Sequence, residues 1–159
     1  MSEHSHEHLT GEKPGSHQTQ MILMVVFFIV WIIDSFVLRL TTFLWSFTYF
    51  WVFLGIGGII LFAAIYLMNA SHKDLFDAKV EGLATTGVFA RVRHPMYLGT
   101  HLFYLGLAVA TFSLASIVLW GIIFVFYDSL ANYEENKLEE RFGKEFLDYK
   151  NSVRKWIPT

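Results

Sequence analysis

Cysteine is absent from this 159-residue chain. Disulfides, thiolate metal sites and a cysteine nucleophile are thereby excluded. Charge is scarce as well. Asp, Glu, Lys and Arg make up 16% of the residues, against roughly 25% in a soluble domain. A net charge of −2 leaves no electrostatic footprint for nucleic acid, so no nucleic-acid partner is expected. What the chain does contain is 54% hydrophobic residues, gathered in long blocks rather than in short amphipathic periods. That distribution predicts an all-α polytopic membrane protein, and the length fits a single domain.

Residues 1–20 hold no apolar period that could drive folding. They run through His4, His6 and His8 to Gly11, Pro14, Gly15, Ser16 and His17, and read as a disordered polar tail. A solvated low-complexity segment accounts for these histidines, with metal binding as the alternative. The segment has no basic start, and no small-residue cleavage site follows the next apolar run. It is therefore expected to be a tail rather than a signal peptide.

Four membrane spans are predicted in the remaining 21–159 domain, at about 21–40, 47–68, 95–112 and 117–131. A cytoplasmic helix over about 132–150 follows them. The first span carries Asp34 and Arg39 near its far end. Asp34 reads as an interfacial residue near Arg39, with a buried functional carboxylate as the alternative. The second span is uncharged and holds Gly55, Gly57 and Gly58, small residues that let another helix approach closely. Trp45, Tyr49 and Trp51 stand where an aromatic belt would lie. Residues 69–94 form a polar loop in which Leu75, Phe76 and Val80 suggest the buried side of a short interfacial helix.

Pro95 suits the first turn of the third span, and residues 113–116 turn tightly into the fourth. No Asp, Glu, Lys or Arg lies between Pro95 and Tyr127, so these two spans form a helical hairpin. Beyond Asn132, Leu138, Phe142, Phe146 and Tyr149 recur at helical spacing, with Gly143 as a point of interruption. Val153 and Trp156-Ile157-Pro158 make a short apolar tail, expected to fold back on the domain. Lys73, Lys79, Arg91 and Arg93 in the loop, and six Lys or Arg from Lys137 to Lys155, face one side. Only Arg39 is near the other. The termini and the loop are thus expected in the cytoplasm.

Chemistry-bearing residues gather around one proline. His94, Tyr97, His101 and Tyr104 are three, four and three apart, which puts them on one helix face. Spacing alone is equally compatible with a packing face and with a functional stripe. Arg91, Arg93 and His94 on their own would pass for a topology-setting flank. Glu134 and Glu135, however, lie at the cytoplasmic end of the neighbouring span. A short hairpin brings the two ends together, so cations, imidazole, phenol and carboxylates converge at the mouth of one pocket. That composition suits a polar, zwitterionic cofactor beside lipid.

The run Gly87-Val-Phe-Ala-Arg-Val-Arg93-His94-Pro95-Met-Tyr97-Leu-Gly99 is followed, after the hairpin, by Glu134-Glu135-x-x-Leu138-x-x-x-Phe142-Gly143-x-x-Phe146-x-x-Tyr149. Over about residues 80–158 this resembles the isoprenylcysteine carboxyl methyltransferase family, which is related to the membrane phospholipid methyltransferases. The resemblance implies an integral-membrane enzyme using S-adenosylmethionine, with a cytoplasmic cofactor pocket and a tunnel toward the bilayer for a lipophilic or lipidated acceptor. Carried over by motif position, Gly82, Leu83, Ala84, Phe89, His94, Pro95, Met96, Tyr97 and Glu134 should bind the cofactor. His94, Tyr97 and His101 are the candidates for assisting transfer, with Tyr104 a further candidate base.

Two positions depart from the pattern. Leu130 stands where carboxyl-methylating members usually carry an arginine four residues before the glutamate, so a carboxylate acceptor would lose its charge partner. Arg154-Lys155 replaces a frequent Val-Pro. Two other classes remain open from the residues: a small haem or quinone protein using His94 and His101, with His72 as a further contributor, and a non-enzymatic membrane scaffold. The oligomeric state and the identity of the acceptor are open too.

Overall fold

A computed structural model describes residues 15–42, 47–77 and 82–158. The architecture is all-helical. Helix α1 is Ser16–Ile32, continued by a wider π-helical turn over Ile33–Leu38. Helix α2 is Phe47–His72, continued similarly over Lys73–Asp77, and a 3₁₀ turn covers Gly87–Ala90. Helices α3 (Pro95–Thr111), α4 (Leu114–Phe142) and α5 (Lys144–Ser152) complete the described chain.

Among the described residues three stretches, Ser16–Leu38, Tyr49–Leu75 and Leu114–Phe142, are long and apolar enough to cross a membrane. The expected third span, α3, is shorter at 17 residues. Other boundaries also move. Helix α1 begins at Ser16, inside the segment expected to be a tail, while the His4–His6–His8 tract, Trp45 and Val80 lie outside the described residues. Helix α2 overshoots its predicted end at Met68 and takes up the start of the polar loop, including half-buried Leu75. The fourth span and the predicted cytoplasmic helix are one continuous rod to Phe142. Gly143, at φ 53°, breaks it, and α5 starts immediately. At 1.5 Å per residue α4 is roughly 43 Å long, against about 30 Å of hydrocarbon, so it projects well beyond the apolar layer.

Helices α2 and α3 share the closest interface, through small residues. Gly57, Ala64 and Ser71 recur every seven residues on α2. A Cβ added to Gly57 would lie 2.6 Å from the Ala110 Cβ and 2.7 Å from the Gly106 carbonyl oxygen. One added to Gly106 would lie 2.8 Å from Leu61 Cγ, and one on Gly99 would lie 2.7 Å from Met68 Cγ. Gly55 and Gly58 have nothing within 4 Å. Of the three glycines expected to form a packing face, only the middle one is used.

These contacts fix the direction of each helix. Gly57 meets Gly106 and Ala110 while Ala64 and Met68 meet Gly99, so α2 runs antiparallel to α3. On the other side, Phe27 packs against Tyr104, with ring centroids 4.5 Å apart and planes tilted by 44°. Trp31 Nε1 donates to the Leu107 carbonyl at 3.0 Å, and Ser35 Oγ donates to Thr111 Oγ1 at 2.9 Å, so α1 runs parallel to α3. Phe27, Tyr104, Ala108, Ile123 and Tyr127 form the buried core where α1, α3 and α4 meet.

At the end where α1 stops, Asp34 is buried, 6% exposed. Its carboxylate accepts from Thr41 N (2.9 Å), Thr41 Oγ1 (2.6 Å), Thr42 Oγ1 (3.3 Å) and Ser113 Oγ (2.5 Å). Asp34 thus lies near the far end of the first span, where the sequence places it, with its side chain buried in the protein. These hydroxyls and an amide are its hydrogen-bond partners. Ser113 also caps α4 by accepting from Ser116 N. One carboxylate therefore clasps the end of α1, the Thr41–Thr42 connection and the α3–α4 turn.

Candidate functional site

The opposite end of the bundle holds the titratable cluster. Proline disfavours helical geometry in the residue before it, and His94 sits outside the helix at φ −120°, ψ 63°, with Pro95 buried at the first helical position. The imidazole can thus turn toward α4 while Tyr97, one turn on, follows the helix. The two rings stack with centroids 5.7 Å apart and planes 4° from parallel.

Glu134 and Glu135 are both buried on α4 and divide the contacts between them. The Tyr97 hydroxyl donates to Glu134 Oε1, and His94 Nδ1 lies 3.7 Å from Glu134 Oε2. Glu135 meets His94 Nε2 at 3.1 Å, Arg93 Nε at 3.0 Å and Lys150 Nζ at 3.4 Å. A buried carboxylate needs such partners, because removing one from a buried ion pair typically costs about 3–5 kcal/mol. Burial holds the His94 imidazole below its ordinary value, against the upward pull of Glu135. The ring is thus favoured in its neutral form.

Arg93 does a second job. Its Nη1 donates to the carbonyls of Lys150 (2.8 Å) and Val153 (2.5 Å), and its backbone N–H donates to Arg154 O at 3.0 Å. These are the carbonyls at the C-terminal end of α5, where a cation is favoured. Tyr149 Oη donates to Phe89 O at 2.7 Å, and burial pushes this phenol up to about 12. The loop before α3 is thus stitched to α5. It is braced further by Asp74, which accepts from Val88 N at 2.8 Å. Gly87 adjoins it at φ 60°, where a Cβ would lie within 2.0 Å of the Asp74 carboxylate.

Of the residues expected at the site, His94, Pro95, Tyr97 and Glu134 come together. Met96 is half-buried beside them in the first turn of α3, its carbonyl accepting from Thr100. Leu83 packs on the Phe146–Tyr149–Val153 cluster, so the Gly82–Leu83–Ala84 strip is anchored to α5, and Phe89 reaches the same helix through its carbonyl. His101 lies one layer deeper. It is 2% exposed, with ring contacts to Phe124 (4.9 Å), Tyr127 (5.1 Å) and Trp156 (5.6 Å). Tyr97 meets Tyr127 at 5.2 Å, which links the two layers. Tyr104 turns to the α1 interface. Leu130, one turn before Glu134, is buried.

Sequence reasoning missed Asp128 and the destination of Trp156. The Trp156 indole donates to Asp128 Oδ1 at 2.9 Å, and Lys155 Nζ meets the same oxygen at 2.5 Å. The apolar tail does fold back, as expected. A signal was present in Asp128, the acid that ends the uncharged run and stands seven residues, two helical turns, before Glu135.

A sequence model of the phospholipid methyltransferase family matches residues 53–145. Protein-S-isoprenylcysteine O-methyltransferase A of Arabidopsis thaliana is 33% identical over 107 residues, 65% of this chain and 54% of that protein. The Dictyostelium discoideum protein-S-isoprenylcysteine O-methyltransferase is 30% identical over 151 residues, 90% of this chain and 62% of its own length. The Saccharomyces cerevisiae protein of the same name is 34% identical over 99 residues, 60% of this chain and 41% of its length. The chain thus spans about half the length of the curated relatives it matches. The family match covers the α2–α3 interface, the His94 segment and both glutamates, and on that extent the chain belongs to the phospholipid methyltransferase family.

Proposed function

We propose that this protein is an S-adenosylmethionine-dependent methyltransferase embedded in the membrane, acting on a lipophilic acceptor at the cytoplasmic face. The observation that carries the reading is the meeting of His94 and Tyr97 with Glu134 and Glu135, about forty residues away, in one buried cluster at one end of an apolar bundle. The donor set fits such a cofactor. Carboxylates suit an ammonium group, and stacked aromatic rings suit a sulfonium. Glu134, His94, Tyr97, Pro95 and Met96 would hold it, with Gly82, Leu83, Ala84 and Phe89 closing the loop side. When bound, S-adenosylmethionine supplies the methyl group as an electrophile open to in-line displacement. The protein's part is to orient the reactants and exclude water, and the apolar helices provide the dry surroundings.

The relatives' names point to a prenylated, lipidated acceptor. Leu130 argues against a free carboxylate as its head, since this position offers no cation. A haem reading has less behind it, because His94 Nε2 is hydrogen-bonded to Glu135 at 3.1 Å with Nδ1 3.7 Å from Glu134, and His101 stands on α3, the helix that begins directly after His94. Calorimetry with S-adenosylmethionine in detergent tests the proposal. Wild-type protein should bind it, and Glu134→Gln should weaken binding at least about tenfold, the ~1.4 kcal/mol expected from a charge-assisted hydrogen bond. Equal binding by both forms would remove Glu134 from the site.

A further inference from the structure

Trp156, on the tail beyond α5, packs into the site itself. Its indole ring lies 5.8 Å from His94, 5.6 Å from His101 and 5.4 Å from Phe124, so it touches both layers of the site at once. Beneath it, His101 is almost completely buried, and neither of its ring nitrogens has a hydrogen-bond partner among the described residues. A buried polar group without a partner is costly. In its neutral form the ring offers one donor and one acceptor, and the surrounding cage of Phe124, Tyr127 and Trp156 is otherwise apolar and aromatic.

We propose that Trp156 is a displaceable stopper in the acceptor's place, and that His101 receives the uncharged hydrogen-bonding head of a lipophilic acceptor once the indole has swung aside. This rests on the methyltransferase reading above and assigns the acceptor side of that site. The hinge is defined by its anchors. Arg93 fixes the tail up to Arg154 through the Val153 and Arg154 carbonyls. Beyond that point, the latch is Asp128, through Lys155 and the indole N–H, with Lys155 also reaching Asn132 Oδ1 at 2.8 Å. Asp128 is partly exposed, so water can replace the latch contacts when it opens. Charge sets the class of head. Asp128, Glu134 and Glu135 ring the site, and the cations placed around it, Arg93, Lys150 and Lys155, are bonded to those carboxylates. Leu130 adds none. An anionic head would find these cations already committed to carboxylates, whereas an alcohol suits a neutral imidazole.

The test reads access to His101 directly. Full-length protein in detergent micelles is treated with diethyl pyrocarbonate, and each histidine is followed by peptide mass spectrometry, with exposed His72 as the internal reference. In wild type, His101 should react far more slowly than His72. Trp156→Ala and Asp128→Asn should each speed His101 labelling several-fold, with His72 unchanged. Asp128→Asn keeps the indole and loosens only its latch, so it answers the question even where Trp156→Ala fails to fold. In the faster variants, dodecanol should slow His101 labelling again and dodecanoate should not. His101 labelling as slow in Asp128→Asn as in wild type overturns the stopper, and equal protection by alcohol and anion overturns the uncharged head. Calorimetry with S-adenosylmethionine on the same samples keeps the two ideas apart. Absence of binding would remove the methyltransferase reading, whatever the labelling shows.

Discussion

His94 is held by opposing forces. Burial favours its neutral ring, while Glu135 pulls toward the charged one, and burial prevails. A histidine whose folded value lies below its unfolded value of about 6.5 binds its proton less readily in the native state. Its contribution to stability is therefore full above about pH 6.5 and is lost as the pH falls toward the depressed value. Melting temperature in detergent should decline between pH 7 and pH 5. His94→Asn should decline less steeply, by up to about 1.4 kcal/mol per pH unit at most. Parallel profiles for the two proteins would show that the ring is not protected in this way. At this scale the sequence was informative about identity and less so about partners. His94, Tyr97 and Glu134 were legible from their motif. That Glu135 rather than Glu134 would collect Arg93 and Lys150 was not, because adjacent residues on a helix point about 100° apart and only tertiary packing decides which faces which cation.

Among elements, α2 and α3 depend on the absence of side chains where they cross. Gly57→Val should lower stability by about 1–3 kcal/mol, the usual range for overpacking, because even a Cβ meets Ala110 and the Gly106 carbonyl. Gly55→Ala should be neutral or mildly stabilising, since that position is open and alanine favours the helix. Thermal unfolding by circular dichroism separates the two, and equal effects would contradict the interface. Helix existence was readable from apolar block length, but the packing face of α2 was not. In lipid both faces of a helix are apolar, so the polar–apolar contrast that marks a buried face in water is missing. The heptad recurrence of Gly57, Ala64 and Ser71 carried the information, yet Gly55 and Gly58 blurred it. Gly143, by contrast, did mark the break between α4 and α5.

For the whole molecule, the pairings give more than hydropathy does. Helix α3 has 17 residues and no continuation of the kind that lengthens α1 and α2. Even so, it runs from the His94 cluster to the Asp34 clasp, parallel to α1 and antiparallel to α2. We infer that α3 crosses the same layer as its neighbours and that the site end faces the cytoplasm, as the Lys and Arg distribution suggests. A chain with no cysteine makes this easy to check with single introduced thiols. Ser152→Cys and Leu40→Cys should react with a membrane-impermeant maleimide from opposite sides, Ser152→Cys from the cytoplasmic one. Labelling of both from one side would require a different topology. The distant ties that hold this arrangement, Asp34 to Ser113 and Asp128 to Trp156, are separated by long stretches of sequence and follow no local period. Composition cannot announce them, and they became visible only when the helices were placed side by side.

The Asp34 clasp also bears on how the bundle is completed. Its carboxylate takes hydrogen bonds from the Thr41–Thr42 connection, which the first hairpin supplies by itself, and from Ser113, which arrives only with the second hairpin. With α1 and α2 alone the carboxylate keeps its donors from Thr41 and Thr42, and the Ser113 hydroxyl is the one that the second hairpin adds. The same docking that brings Ser113 to Asp34 sets His94 and Glu134 face to face at the far end of α3 and α4. The clasp thus ties the two hairpins into one register, and a slip of the second hairpin along the first would break this hydrogen bond and misalign the titratable cluster together.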